Sequence, residues 1–329
     1  MPTGRSARSM HTTGRQRPQA RDFVVAPSRP PLARLPMSIG FLGIGTMGLP
    51  MATRMLSAGV PLRVWNRTPG RCAPLVARGA IETSSVDALF EACTTVMVML
   101  LNQEAVDATL HRGLPAFAAR VCGRTLVMLG TTSAGYSESL EADVRRHGGN
   151  YVEAPVSGSR GPAEEGALIG MLAGEPRAVA EVEPLLHAFC RQVVSCGAVP
   201  SALRLKLAVN HYLIVLVAAL AEATKAAAAA GVDLKTFRQV LDAGPMASAV
   251  SRAKLHKLAT GDFAPQAAIR DVTQIAYLVR EQARASGADA LLIDAATRMF
   301  ATAHWHGLSD MDMSAVLQCP ATKMLLDAK

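Results

Sequence analysis

The sequence predicts an α/β domain built on a mostly parallel sheet, followed by an all-α domain that opens on one long interdomain helix. Three observations carry this expectation. Short apolar runs alternate with longer helical patterns between residues 39 and 196, a glycine-patterned turn follows the first run, and after Pro200 alanine-rich helical sequence replaces the strands. Alternation of this kind places parallel strands between two helical layers. The chain has 329 residues, half of them apolar, which is enough for two cores. Only 4% are aromatic, so Ala, Leu, Val and Met must fill the interior, and these favour helices.

The first run, residues 38–42, leads into Gly43-Ile44-Gly45-Thr46-Met47-Gly48, which satisfies G-x-G-x-x-G, and residues 49–56 continue as a helix. The first glycine permits a tight turn, the second lets backbone approach a pyrophosphate, and the third lets the helix pack closely on the strand. Unpaired N–H groups at the start of the helix favour phosphate. Alone, the glycines could mark a turn without a ligand. With a strand before and a helix after, Gly43, Ile44, Gly45, Thr46, Met47 and Gly48 become candidate contacts to a dinucleotide in a Rossmann-type domain. Residues 60–65 read as the next strand and end in Asn66-Arg67-Thr68. An acid here would grip the ribose diol of NAD. None is present, and Arg67 can pair with a 2′-phosphate, with Asn66 and Thr68 as hydrogen-bonding neighbours. The expected cofactor is therefore NADP; an ordinary surface role for Arg67 would leave the missing acid unexplained.

Further strands are expected at residues 95–100, 124–129, 151–154, 167–172 and 192–196, with helices from about 103 and over 134–147. Ligands bind where loops leave the strand ends. Leu100, Leu101, Thr131 and the segment Ser157-Gly158-Ser159 are accordingly candidates for cofactor or substrate contact. Residues 201–230 contain no internal Gly or Pro and read as a single helix stopped by Gly231. Its apolar centre, residues 207–221, includes Asn210 and His211 and is shorter than the roughly 20 residues of a membrane span. A buried core helix is expected, with no membrane partner. Helices over 234–243, 246–258, 265–286, 290–304 and beyond 314 would complete the second domain, whose apolar surface suits a subunit interface. The expected division is an extension over residues 1–36, a cofactor domain over 37–199 and a helical domain over 200–329.

The net charge of +8 resides mostly in residues 1–36, whose seven arginines against the single acid Asp22 supply +6. The remaining chain gives no reason to expect a nucleic-acid partner. The arginine-rich extension reads as disordered, or as spurious sequence upstream of a start at Met37, with a targeting segment as the alternative. Six cysteines without paired spacing suit a reducing compartment, and a cytoplasmic protein is expected. No metal is expected, because His304 and His306, flanking Trp305, lack a convincing third ligand.

Lys206 and Asn210 are four residues apart near the start of the long helix and so share a face. An amine among Leu203, Leu205, Leu207 and Val209 loses hydration, which lowers its pKa toward a range useful for proton transfer. Asn210 could orient that amine or a substrate oxygen. The alternative is a lysine that reaches solvent, with Asn210 turned to a loop.

Taken together, these motifs resemble the β-hydroxyacid dehydrogenase family, which includes 3-hydroxyisobutyrate dehydrogenases, tartronate semialdehyde reductases and glyoxylate/succinic semialdehyde reductases. The resemblance runs from Ile39 to about Val316. It rests on residues 40–48 with Pro50 and Met51, on Ala154-Pro155-Val156-Ser157-Gly158-Ser159, on Lys206 with Asn210, on Arg270-Asp271 and on residues 310–315. It implies that Ser157, Gly158 and Ser159 form the substrate-carboxylate loop and that Thr131 lies near both nicotinamide and substrate. It further implies that Lys206 transfers the proton, with Asn210 in support, that Arg270 occupies a cofactor position, and that the chain forms a homodimer or homotetramer through its helical domain. The implied substrate is a small carbonyl compound bearing a carboxylate. Three positions depart from the pattern. Ser159 stands where a second glycine is common, Met128-Leu129-Gly130-Thr131 replaces an acid-containing Asp-x-Ser-Thr, and Arg270 replaces a lysine. Two other readings stay open: an NADPH-dependent imine reductase-like enzyme, against which Lys206 speaks, and a catalytically silent dinucleotide-binding protein.

Overall fold

The computed structural model describes residue 1 and residues 39–319. Apart from residue 1, the extension expected over 1–36 lies outside the described residues. The described strands and helices belong to one compact unit.

The first half opens with β1 (Ile39–Leu42), α1 (Gly48–Ser57), β2 (Leu62–Trp65), α2 (Ala73–Val76), β3 (Ile81–Glu82), α3 (Val86–Ala92) and β4 (Thr95–Val98). It continues through α4 (Gln103–Leu110), α5 (Pro115–Val121), β5 (Thr125–Met128), α6 (Ala134–Arg146) and β6 (Asn150–Glu153). It closes with β7 (Val156–Ser157), α7 (Arg160–Glu165), β8 (Leu168–Gly174), α8 (Pro176–Leu186) and β9 (Cys190–Gly197). The strands lie in the order β3-β2-β1-β4-β5-β6-β8-β7, with β9 paired to β8. From β3 to β6 every pairing is parallel, whereas β8 runs antiparallel to both β6 and β7. Every residue of β1, β4 and β5 is buried, which is why these strands read as unbroken apolar runs rather than alternating ones. Met51, Met55, Leu75 and Leu185 belong to the core on one side; Leu89, Phe90, Phe117 and Leu140 belong to that on the other. Ser85, Asn102 and Ser133 cap α3, α4 and α6 by accepting backbone N–H bonds. Each such cap contributes about 1 kcal/mol.

The second half contains α9 (Ser201–Ala229), α10 (Leu234–Ala243), α11 (Ala249–Thr260), α12 (Ile269–Ala285) and α13 (Leu291–Ala303), then a π-helical turn (His304–Leu308) and a 3₁₀ turn (Met313–Gln318). Leu207, Ile214, Val217 and Ala221 of α9 share a core with Ile269, Val272 and Val279 of α12 and with Ile293 and Phe300 of α13. The expectation for α9 needs correction. The helix has 29 residues, with an 18-residue window of mean hydropathy 1.6, so its length and composition do suffice for a span. Only 28% of that window is buried. It is a core helix along one face and an exposed apolar surface along the other.

Candidate active site

The parallel register aligns Leu42 with Trp65 and Val98, Val98 with Met128, and Met128 with Glu153. The loops holding Gly43, Asn66, Leu100 and Thr131 therefore leave one carboxyl edge of the sheet, and Ser157 lies on β7 just beyond the end of β6. The strand order reverses between β1 and β4, and a crevice at such a reversal is where open α/β sheets bind ligands.

At that crevice Gly43 turns with φ +98°, and its N–H donates to the Trp65 carbonyl at 3.0 Å. A side chain on Gly43 would run into the Met99 carbonyl, and one on Gly48 would strike the Gly43 carbonyl. Gly45 is exposed, and a Cβ there would meet nothing within 4 Å. No side chain caps α1, and in its first turn the Leu49 N–H donates to the Gly45 carbonyl at 3.0 Å. This cradle fits a pyrophosphate. Asn66 is the pivot of the neighbouring loop. Its Oδ1 accepts from the Ile44 N–H at 2.9 Å, and its Nδ2 donates to the Thr68 carbonyl at 3.1 Å. The carboxamide thus ties the β2 loop to the glycine loop. Arg67 and Arg71 are exposed beside it; Arg71 lies outside the Asn66-Arg67-Thr68 pattern. Leu100 is half-buried and Leu101 is 58% exposed. Gly130 lies against the Leu100 carbonyl, which brings the half-buried Thr131 beside the β4 loop.

Ser157 and Ser159 are half-buried and Gly158 is exposed. Ser157 is held in β7 opposite Ile169, and Ser159 precedes α7 without capping it. Lys206 is 8% exposed and Asn210 3%. Among the described residues neither side chain has a hydrogen-bond or ion-pair partner, and the sealed unpartnered atoms are Asp242 Oδ1 and Gln282 Oε1. Both polar groups are thus buried on α9 and unpaired among the described residues. Burial lowers the Lys206 amine from 10.5 to about 8.

Glu153, which no linear motif singles out, is an acid at the buried end of β6. It is 0% exposed. Its Oε2 accepts from the N–H groups of Ala202 and Leu203 at 3.1 and 3.2 Å, so the end of β6 caps the start of α9. Its Oε1 accepts from Ser137 at 2.5 Å. Arg270 stands apart from these groups. It is exposed at the start of α12, ion-pairs with Asp310 and Asp271, and lines a cavity of about 320 Å³ with Thr273, Gln274, Tyr277, Ala301, His304 and Trp305. None of its described partners belongs to the sheet's carboxyl edge. Among the described residues no three His, Cys, Asp or Glu side chains gather as metal ligands.

Comparisons with known proteins agree with this fold. The family model for the NAD binding domain of 6-phosphogluconate dehydrogenase matches residues 38–197. The model for the NAD-binding region of NADP-dependent 3-hydroxyisobutyrate dehydrogenase matches residues 201–319. Glyoxylate/succinic semialdehyde reductase 2 of Arabidopsis thaliana is 29% identical over 86% of this chain and 79% of its own. Human mitochondrial 3-hydroxyisobutyrate dehydrogenase is 30% identical over 69% of this chain and 67% of its own. The crystal structure of a 3-hydroxyisobutyrate dehydrogenase from Salmonella typhimurium, 26% identical, superposes with a TM-score of 0.78 over 85% of this chain and 99% of the other. With its cofactor cradle, its helical second half and these relatives, the chain belongs to the β-hydroxyacid dehydrogenase family and is an oxidoreductase with an NAD(P)-binding domain.

Proposed function

We propose that the protein is an NADP-dependent reductase of a small aldehyde or keto acid, of the succinic semialdehyde, glyoxylate or tartronate semialdehyde kind. The observation that carries this reading is Lys206, a buried amine unpaired among the described residues, its pKa lowered to about 8, with Asn210 one turn on along the same helix. The helix bearing it is fastened to the strand that leads into the serine-glycine loop. In this reading the glycine loop and the start of α1 hold the pyrophosphate, while Leu100, Leu101 and Thr131 border the nicotinamide. Arg67, with Arg71 four residues on, meets the 2′-phosphate. Arg270 reaches the cofactor only by exchanging its ion pairs with Asp271 and Asp310. NADPH bound there would supply a hydride. Ser157, Gly158 and Ser159 hold the substrate carboxylate, Asn210 orients the carbonyl oxygen, and Lys206 gives that oxygen its proton. In the reverse direction Lys206 takes the proton from the hydroxyl.

We place the division between cofactor and helical domains near residues 199 and 200, the protein in the cytoplasm, and a dimer interface on the helical domain. The test of the reaction is NADPH oxidation across short aldehyde acids, keto acids and cyclic imines. Turnover restricted to the carboxylate-bearing carbonyls is expected; turnover of imines alone would overturn the assignment. Lys206→Ala is expected to lower kcat at least about a hundredfold, the scale of general acid catalysis, with NADPH affinity retained. Unchanged turnover would reject its role.

A further inference from the structure

Helix α9 carries Lys206 and Asn210, yet nothing in its own sequence caps it. Its N-cap residue is Pro200, which offers no side-chain hydrogen bond. Glu153 does that work from 49 and 50 residues away, receiving the N–H groups of Ala202 and Leu203 on one oxygen. Its other oxygen receives the Ser137 hydroxyl, and Ser137 in turn lies 2.7 Å from the Tyr151 hydroxyl. The carboxylate thus anchors the first turn of α9 between β6 and α6. Ala202, in the same turn, packs with Met171 and Ala173 of β8. Lys206 follows one turn later on the helix. Ser157 follows Glu153 by four residues on the strand side, through Ala154, Pro155 and Val156, all buried.

We infer that Glu153 is a positioning residue for proton transfer, holding Lys206 and Asn210 in register with the loop that binds the substrate carboxylate. This inference rests on the reading of Lys206 as proton donor. A carboxylate on helix N–H groups makes charge-assisted bonds, roughly twice as strong as neutral ones. Burying it without a cationic partner is costly, and that cost makes a purely structural explanation poor: a Ser or Asn cap on α9 itself would serve folding with less penalty. What the distant carboxylate adds is a fixed distance between two elements.

The same geometry ties the anchor to pH. Burial raises the Glu153 carboxyl from 4.5 to about 7, outweighing the hydrogen bonds from Ser137, Leu203 and Ala202, and Glu141 of α6 adds to the rise. Around it stand the Tyr151 phenol on β6 and the Cys196 thiol on β9. On the α9 side the facing groups are peptide N–H dipoles, because Arg204 turns away to Glu138 of α6. Above about 7 both oxygens accept; below it one carries a proton and the grip on α9 weakens.

The experiment is the pH profile of kcat with NADPH and succinic semialdehyde, measured for the native protein, Glu153→Gln, Ser137→Ala and Lys206→Ala. The native profile is expected to rise through an acidic limb near 7 and to fall through a basic limb near 8. Glu153→Gln keeps an oxygen for the two N–H groups and an amide for Ser137, but it cannot ionise. It is expected to lose the acidic limb and about tenfold in kcat while KM for NADPH stays within about twofold, a split that marks transition-state positioning. In Ser137→Ala the carboxylate loses a stabilising donor, so the limb should move to higher pH. Amide hydrogen exchange at residues 202–204 between pH 6 and 8 reads the same anchor without substrate. In the native protein, protection there should step up as Glu153 ionises; in Glu153→Gln the step should vanish. A folded Glu153→Gln variant with native kcat and an intact acidic limb overturns the inference. Should that variant not fold, an unmoved limb in Ser137→Ala overturns it, and so does protection at residues 202–204 that shows no step in the native protein. An inactive Lys206→Ala beside a native-like Glu153→Gln defeats this inference alone, whereas a fully active Lys206→Ala defeats the reading of Lys206 itself.

Discussion

Lys206 pays for its position in stability. Its amine titrates near 8 when folded and near 10.5 when free, so between those values the unfolded chain binds more protons and stability rises with pH. Below about pH 8 the desolvation cost of the ammonium is present in full. Lys206→Met is therefore expected to stabilise the protein by about 1–3 kcal/mol at neutral pH while abolishing turnover. Thermal denaturation measures this, and an unchanged or lower melting temperature would mean that the amine is well solvated. In catalysis the same pKa implies that carbonyl reduction falls above about pH 8 while hydroxyacid oxidation rises. A second contrast belongs to the β2 loop. Asn66 spends its carboxamide on Ile44 and Thr68, so Asn66→Ala should weaken NADPH and NADH alike. Arg67→Ala should weaken NADPH alone by about tenfold or more, since a charge-assisted phosphate contact is worth about 1.5–3 kcal/mol. Titration of both cofactors against both variants decides it; parallel losses in Arg67→Ala would remove the 2′-phosphate assignment. The lysine–asparagine pair was legible because four residues bring two side chains onto one helical face. Glu153 was not, because its partners are 49 and 50 residues distant and meet it only in the folded chain.

At the scale of elements, α10 begins and ends where its sequence pattern does, between the Asp233 cap and Gly244. Two neighbours start later than their patterns indicate, for physical reasons. Residues 246–248 stay outside α11 because Ser248 and Ser251 form a reciprocal capping box. Residues 265–268 stay outside α12 because Asp312 takes the N–H groups of Gln266 and Ala267. That carboxylate, 0% exposed, also accepts from the Lys254 ammonium at 2.8 and 2.9 Å and from the N–H and hydroxyl of Ser314. It locks α11, the approach to α12 and the 3₁₀ turn together. Burial alone would raise the Asp312 carboxyl, but Lys254 and Ser314 outweigh it and hold it below the ordinary carboxylate value. Its contribution to stability is present above that value and is lost as pH falls through the lowered one. Asp312→Ala leaves Lys254 buried and unpaired, so a loss of about 3–5 kcal/mol is expected in chemical denaturation. A loss below about 1 kcal/mol, the scale of an exposed pair, would show that Lys254 finds other partners.

For the whole molecule, the order of strands, then helices, was legible from composition and periodicity. The antiparallel turn of β8 against β6 and β7 was not: two-residue β7 carries too little pattern to announce itself, and pairing direction depends on where the chain returns. Nor was the division of α9 into two faces, since an apolar residue reads the same whether it packs inward or waits for a partner. The structure separates them. Leu205, Val209 and Tyr212, at helical spacing, are 40%, 38% and 72% exposed on the side opposite the core. In α10 no residue is buried, although Val240 is 66% exposed and Met246 just beyond it 70%. Isolated apolar side chains on a surface need no explanation, but a run of them along one helix and its neighbour does. A second copy of the chain supplies the same apolar surface, and a two-fold axis lets identical patches bury one another. A stable pair of this kind covers about 1,600 Å² in total, for which one exposed side of a 29-residue helix is a sufficient base. Sedimentation of the native protein is expected to give twice the monomer mass. Tyr212→Glu together with Val209→Glu, each placing a charge at the centre of the patch, should give the monomer with its far-ultraviolet spectrum intact, because neither side chain supports the intramolecular core. A native protein that sediments as a monomer, or a dimer unaffected by both charges, would place the interface elsewhere or remove it.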